Sequence, residues 1–159
     1  MTREQFIEII KTEQEALRRF LLALCCGNRD EADDIAQDAL VKAYLSLSKY
    51  EGTTWLYRIA YNCFYDQIRR NKVTEDIEQP VVARKGSQSV DSNLKMDLYN
   101  AMAILSESER SCVTLQLVEG QPIDKISEIT GMAPGTVKSH LFRGKQKLAT
   151  YLRNNGYDR

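Results

Sequence analysis

The stretch Q-P-I-D-K-I-S-E-I-T-G-M-A-P-G-T-V-K-S-H-L-F-R-G-K-Q-K-L, Gln121 to Leu148, decides the fold of this chain. Ile126 and Ile129 are three residues apart and face inward from a short helix that Gly131 closes. After the turn M-A-P-G-T, the residues Val137, Leu141, Leu148 and Leu152 mark the buried edge of a longer helix. A short helix, a turn bearing glycine and a long amphipathic helix are the parts of a helix-turn-helix.

At about 100° per residue from Leu141, the outer face of the long helix carries Gly135, Ser139, Phe142, Arg143 and Gln146, flanked by Lys138 and Lys145. Between Pro134 and Arg153 there are five Lys or Arg and no acid, although the whole chain balances 22 bases against 22 acids. Taken as charges alone, these cations fit a solvated face as well as a phosphate-binding one. The preceding short helix and turn favour nucleic acid, because the N-terminal half of such a second helix meets base edges in the major groove. If about four of the cations neutralise phosphates, log affinity falls with log salt with a slope of about −3.6.

Outward from this motif, the totals constrain the function class. The chain has 159 residues, 43% of them apolar and 28% charged, with zero net charge, so attraction to a polyanion rests on how charge is distributed. Cys25, Cys26, Cys63 and Cys112 have no C-x-x-C spacing and His140 is the only histidine, so no metal site is expected. Cys25 and Cys26 end the apolar run F-L-L-A-L-C-C and read as small buried residues at a helix end. No apolar window approaches the roughly 18 residues that span a bilayer, and M-T-R-E-Q-F-I-E lacks a signal-type apolar core. A cytoplasmic chain without membrane insertion is expected. The absence of a glycine-rich phosphate loop and of a recognisable carboxylate pair argues against an enzyme, and no cofactor is expected.

The fold class is all-α: two small helical domains joined by a flexible linker, the second with the helix-turn-helix. Phe6, Ile9, Ile10, Ala16, Leu17, Phe20, Leu21 and Leu24 recur at three- and four-residue steps and predict a helix ending at Gly27-Asn28. Ile35, Ala39, Leu40, Ala43, Tyr44 and Leu47 form the stripe of a second helix, with Asp30, Glu31, Asp33 and Asp34 at its start, where they complement the helix dipole. After the turn at Tyr50 to Thr53, Thr53 or Thr54 caps a third helix from about Trp55 to Arg70. Periodicity then stops, and the charged, serine-rich segment with Pro80 and Gly86 reads as a linker. The expected division is 1–72, linker 73–93, and 94–159. In the second domain Leu94, Leu98, Ala101, Met102 and Leu105 make one helix; Ser106 with Glu109 is a capping box opening the next, which Gly120 ends.

In T-W-L-Y-R-I-A-Y-N-C-F-Y-D-Q-I-R-R-N-K, Thr54 to Lys72, packing of Leu56, Ile59, Ala60, Phe64 and Ile68 leaves Trp55, Tyr57, Tyr61 and Tyr65 only partly explained. Aromatics interleaved with Arg58, Asn62, Arg69 and Arg70 suit single-stranded DNA, with rings stacking on bases and cations on the backbone. Core aromatics beside a basic helix end account for the pattern equally well.

Four fragments in order resemble a known family: D-E-A-D-D-I-A-Q-D-A-L-V-K-A-Y (Asp30 to Tyr44), T-W-L-Y-R-I-A-Y-N (Thr54 to Asn62), L-S-E-S-E-R (Leu105 to Arg110) and G-M-A-P-G-T-V-K-S-H-L-F-R-G-K-Q-K-L (Gly131 to Leu148). They look like the extracytoplasmic-function sigma factors of bacterial RNA polymerase. The resemblance implies a transcription initiation factor that binds core RNA polymerase and directs it to promoter DNA, through region 2 in the first domain and region 4 in the second. It implies that Asp33, Asp34, Gln37 and Asp38 dock on the β′ clamp coiled coil, and that the β flap is a further polymerase contact. It implies that Trp55, Arg58, Tyr61, Asn62, Arg69 and Arg70 serve the minus-ten element, and Lys138, Ser139, His140, Phe142 and Arg143 the minus-thirty-five element. Many members of the family are held by a membrane-linked anti-sigma factor, which joins the implied partners. Two rival readings stand beside it: a helix-turn-helix regulator that never docks on polymerase, and a protein-interaction adaptor whose basic helix is merely solvated.

The chain departs from the family pattern at two places. Only Glu51-Gly52-Thr53-Thr54 separate Tyr50 from Trp55, where the family usually carries a longer loop. His140 and Gly144 stand where Arg and Ala are frequent; a neutral imidazole is a weaker phosphate ligand, and a helical glycine costs roughly 1 kcal/mol.

Overall fold

The computed structural model describes residues 2–50, 52–74 and 90–156, and among these every regular element is helical. The middle of the segment read as a linker lies outside the described residues. Seven α-helices follow in order: α1 (Arg3–Leu24), α2 (Arg29–Leu45), α3 (Thr53–Thr74), α4 (Val90–Ala103), α5 (Glu107–Val113), α6 (Ile123–Thr130) and α7 (Pro134–Asn154). A 3₁₀ turn spans Leu47–Lys49, and α5 runs on into a π-helical turn, Thr114–Val118.

Thr2 opens α1 through a capping box with Gln5, and Asn28 opens α2 by accepting the Glu31 amide at 3.1 Å. Between these helices the chain reverses through Cys26 and Gly27, at φ of 53° and 88°. Gly27 has a second reason to be glycine: a Cβ there would stand 2.7 Å from the Tyr99 ring of α4. The expected capping box of α5 is present, with Glu109 N to Ser106 Oγ at 3.1 Å and Ser106 N to Glu109 Oε1 at 3.0 Å. Gly120 and Gly131 adopt the left-handed conformation after their helices, as anticipated.

Three details differ from the sequence reading. Helix α3 begins at Thr53 and runs to Thr74, and α4 begins at Val90, so both are longer than their apolar stripes. Thr54 sits inside the first turn, where its hydroxyl donates to Glu128 Oε1 at 3.3 Å instead of capping. Tyr44 is 46% exposed, at the rim of the core edge-on to Phe6, because small residues (Ala32, Ala36, Ala39 and Ala43) occupy the buried face of α2.

The two groups of helices, α1–α3 and α4–α7, share one core. Leu17, Phe20, Leu21, Ile35, Ala60 and Phe64 from the first are continuous with Met102, Leu115, Ile126, Ile129, Val137 and Leu141 from the second. Helix α3 lies against α6, and α1 touches α4, α5 and the π turn. A smaller cluster of Phe6, Ala43, Trp55 and Leu56 closes the far end of the first group.

Candidate functional site

Asp33, Asp34, Gln37 and Asp38 are all exposed on one face of α2, opposite the buried Ala32, Ile35, Ala36 and Ala39. Asp33 accepts from Arg18 Nη1 of α1 at 3.0 Å, an exposed pair. Four and eight residues beyond Gln37, Val41 and Leu45 are 58% and 77% exposed, so the acidic face continues into an apolar one. The sequence reading did not single out these two; its available signal was an apolar residue recurring at four-residue steps on an otherwise polar face.

On α7, Val137 and Leu141 turn inward while Lys138, Ser139, Phe142 and Arg143 are exposed, Phe142 at 64%. His140 is half-buried, and its Nδ1 lies 3.2 Å from Arg143 Nη2. The basic face has an acidic neighbour that α7's own sequence does not disclose. Glu109 of α5, its side chain only 6% exposed, lies 2.9 Å from Lys147 Nζ and 3.5 Å from Arg143 Nε. Lys147 therefore serves the α5–α7 contact, leaving Lys138 and Lys145 as the outward flank.

Gly144, read from the sequence as a propensity cost, has a packing reason. A Cβ on it would come within 2.7 Å of Val113 Cγ2 and 3.5 Å of Glu109 Cβ, so its absence lets α7 approach α5 closely.

Burial raises the Glu109 carboxyl pKa, but hydrogen bonds from Lys147, the Ser106 amide and Arg143 outweigh that effect and hold it below its ordinary value of 4.5. A depressed folded-state pKa contributes stability that is present above the unfolded value and is lost as pH falls through the folded one. Glu109→Gln is expected to lower stability by about 1 kcal/mol at neutral pH and to flatten the decline below about pH 4.5, as read by urea unfolding across pH. An acid limb equally steep in the variant would remove Glu109 as its source.

Helix α3 gives a mixed outcome for the residues read as single-strand contacts. Asn62, Arg69 and Arg70 are exposed and Arg58 is half-buried; Arg69 pairs with Asp66, and Arg70 Nη2 donates to Gln67 Oε1 at 2.8 Å. Trp55 and Tyr61, in contrast, are 5% and 8% exposed. Trp55 is edge-on to Tyr50 within the smaller cluster, and Tyr61 is tilted against Tyr65, their ring centroids 4.8 Å apart. In this closed arrangement their rings pack protein, so neither is presented to a base. Burial pushes the Tyr57 and Tyr61 hydroxyl pKa values up.

The surface covering α3 is polar at its margin. Arg19 of α1 grips Glu119, just past the π turn, with Nε to Oε2 at 3.0 Å and Nη2 to Oε1 at 2.9 Å; Tyr57 Oη donates to the same Oε1 at 2.8 Å. The Glu119 side chain is 1% exposed. Arg110 of α5 donates to three carbonyls, Leu24 O at 3.1 Å, Met102 O at 2.9 Å and Leu105 O at 2.9 Å. Arg19 and Glu119 carry no local sequence signal, because their partners lie in distant parts of the chain, and of the Arg110 acceptors Leu24 O is likewise remote.

Among the described residues no helix is long and apolar enough to cross a membrane, and no group of three or more His, Cys, Asp or Glu could hold a metal ion.

Comparison with known proteins bears on both groups of helices. Residues 9–74 match the family model described as sigma-70 region 2, and residues 95–148 the model described as sigma-70, region 4. The chain is 31% identical over 147 residues to the ECF RNA polymerase sigma factor SigW of Bacillus subtilis (strain 168), covering 80% of this chain and 79% of that one. It is 30% identical over 156 residues to the ECF RNA polymerase sigma factor SigE of Mycolicibacterium smegmatis, covering 91% of this chain but spanning only 60% of that relative. Among solved structures, the sigma factor RpoE in complex with the anti-sigma factor NepR from Bartonella quintana superposes with a TM-score of 0.78 at 30% identity, over 98% of this chain and 99% of that one. CnrH in complex with the cytosolic domain of CnrY has the same fold, with a TM-score of 0.75 at 18% identity over 98% of this chain and 92% of that one.

Proposed function

This chain belongs to the ECF RNA polymerase sigma factors of the sigma-70 family, and from that membership we propose that it is a transcription initiation factor acting in the cytoplasm, binding core RNA polymerase and promoter DNA without covalent chemistry of its own. Residues 1–72 dock on the polymerase and serve the minus-ten element; residues 94–159 serve the minus-thirty-five element and meet the β flap, with the linker between them. The acidic face of Asp33, Asp34, Gln37 and Asp38 meets the β′ clamp coiled coil, and Val41 and Leu45 extend that contact. Lys138, Ser139, His140, Phe142 and Arg143 face duplex DNA. Arg58, Asn62, Arg69 and Arg70 follow the opened strand, whereas Trp55 is packed among residues of its own helical group and Tyr61 against Tyr65, so neither is available to a base without rearrangement. An anti-sigma factor is a further partner, in keeping with the complexes in which the solved relatives were captured.

The observation that carries this reading is the segregation of charge. An exposed acidic helix face lies in one group of helices, and an exposed basic face lies on the second helix of a helix-turn-helix in the other, within a chain of zero net charge. Binding energy at two separated DNA contacts then offsets the few kcal/mol each unstacked base costs.

Run-off transcription with sigma-free core polymerase on a promoter library is the direct test. Specific initiation is expected, and Arg143→Ala is expected to weaken it about tenfold. With Lys147 held by Glu109, duplex binding through Lys138, Arg143 and Lys145 should fall with salt at a log–log slope of about −2.7. No initiation on any promoter, together with a slope near zero, would refute the assignment.

A further inference from the structure

We infer that Glu109 is a positioning residue for the minus-thirty-five contact: together with His140 it fixes the inner side of the Arg143 guanidinium and leaves the outer fork of that group for the O6 and N7 acceptors of a guanine. The inference rests on the reading of α7 given above as the helix that meets duplex DNA.

The Arg143 side chain is 52% exposed on a helix face, where a long cation ordinarily moves among several rotamers. Here it is held at two nitrogens. Its Nε lies 3.5 Å from Glu109 Oε2 and its Nη2 3.2 Å from His140 Nδ1. A guanidinium carries only donors, so Nδ1 is the accepting nitrogen in this contact and the imidazole proton sits on Nε2. Two of the Arg143 donors are thereby used within the protein. Those on Nη1 and the second on Nη2 remain, and adjacent donors at the tip of the group match O6 and N7, the acceptor pair that guanine presents in the major groove.

Glu109 is itself fixed. Its side chain is 6% exposed, and Oε1 accepts from the Ser106 amide at 3.0 Å and from Lys147 Nζ at 2.9 Å, which leaves Oε2 for Arg143. Gly144 is what brings the acid within reach: a Cβ at that position would stand 3.5 Å from Glu109 Cβ, next in sequence to the cation that the acid holds. The two departures from the family pattern, His140 and Gly144, thus serve one arrangement. The glycine admits the acid beneath α7, and the imidazole supplies an acceptor where an arginine would repel Arg143.

A purely structural Glu109 predicts something different. A carboxylate under a DNA-binding face repels phosphate and holds Lys147 back from it, so neutralising the acid would strengthen binding to every duplex alike. If Glu109 positions Arg143, the same change also weakens discrimination of the guanine, because the freed side chain has to be ordered again on docking.

Fluorescence anisotropy on the full chain separates the two, with Glu109→Gln as the main variant. Glutamine also closes capping boxes, so the start of α5 is kept, and circular dichroism checks the fold. The probes are the tightest duplex that the wild type selects from a randomised pool, and copies of it in which each guanine in turn is replaced by 7-deazaguanine, which lacks the N7 acceptor. The wild type should lose about tenfold on one such copy, a loss that Arg143→Ala should not show. Glu109→Gln should cut that loss to about threefold or less while binding unrelated duplex no more weakly than the wild type, its salt slope steeper by about 0.9 as Lys147 is released. His140→Ala should lower the discrimination in the same direction.

Undiminished discrimination of the guanine in Glu109→Gln overturns the positioning role, and no loss by the wild type on any 7-deazaguanine copy overturns the guanine contact. Should Glu109→Gln lose helicity, His140→Ala carries the same readout with the cap untouched, and full discrimination there overturns the inference. A wild type that prefers no duplex refutes the DNA reading of α7 itself, whereas a variant that discriminates as well as the wild type refutes only the positioning, so the two failures are separable.

Discussion

Reversal of both Asp33 and Asp34 to Lys is expected to abolish promoter-directed initiation while leaving a folded protein. Both side chains are exposed, so changing them costs the fold little. The surface pair with Arg18 contributes about 0–1 kcal/mol, and placing cations near the start of α2 costs about 0.3–1 kcal/mol each against the helix dipole. The same reversal at a docking face exchanges attraction for repulsion at two adjacent points, a change of several kcal/mol. At about 1.4 kcal/mol per factor of ten, polymerase affinity should fall by about two to three orders of magnitude. Run-off transcription and capture on core polymerase should both fail, with duplex binding and the helical circular dichroism signal retained. Undiminished initiation by the double variant would show that α2 does not carry the docking contact.

The largest loss of stability is expected from Arg110→Ala. The guanidinium of Arg110 satisfies Met102 O and Leu105 O at the end of α4 and Leu24 O at the end of α1, all at 2.9–3.1 Å. Carbonyls near helix C-termini have no intrahelical partner, so this side chain caps two helices from different groups at once. Removing it strands Leu24 O and Leu105 O at about 1–3 kcal/mol each, while Met102 O keeps the Leu105 amide at 3.1 Å, for a net cost of about 3 kcal/mol. The unfolding midpoint should drop by about 6–12 °C. Arg110→Lys should recover only part of this, because a single ammonium cannot reproduce a planar fork directed at three oxygens. A loss below about 1 kcal/mol in urea unfolding would mean that these carbonyls are satisfied some other way.

Much of the local architecture was legible because its causes are local. The Ser106–Glu109 box, the left-handed Gly120 and Gly131 and the inward Ile126, Ile129, Val137 and Leu141 each follow from spacing and backbone preference within a few residues. The outward faces of α2 and α7 were legible for the same reason. What spacing could not supply were contacts made across the chain. Arg19 and Glu119 lie 100 residues apart, Arg110 and Leu24 86, and Tyr57 and Glu119 62. The same limit explains Trp55 and Tyr61. Aromatics on a helix flank are consistent with a wet or a dry surface, and only the placement of the neighbouring helices selects the dry one. Gly144 is the sharpest case, since its apparent weakness in α7 is the space that Val113 of α5 requires.

The π turn at Thr114–Val118 sets the aim of whatever follows it. The Glu119 amide reaches back five residues to Thr114 O at 3.1 Å, so one more residue is accommodated than a regular α-helix would hold. Each residue of a regular helix rotates the chain by about 100°, and this added residue therefore dials the carboxylate of Glu119 by about a quarter-turn onto Arg19 and Tyr57. The helix behaves as a key whose last notch is cut by chain length instead of side-chain identity. A relative with one residue fewer at this point would keep its apolar periodicity and its acid, yet point that acid elsewhere.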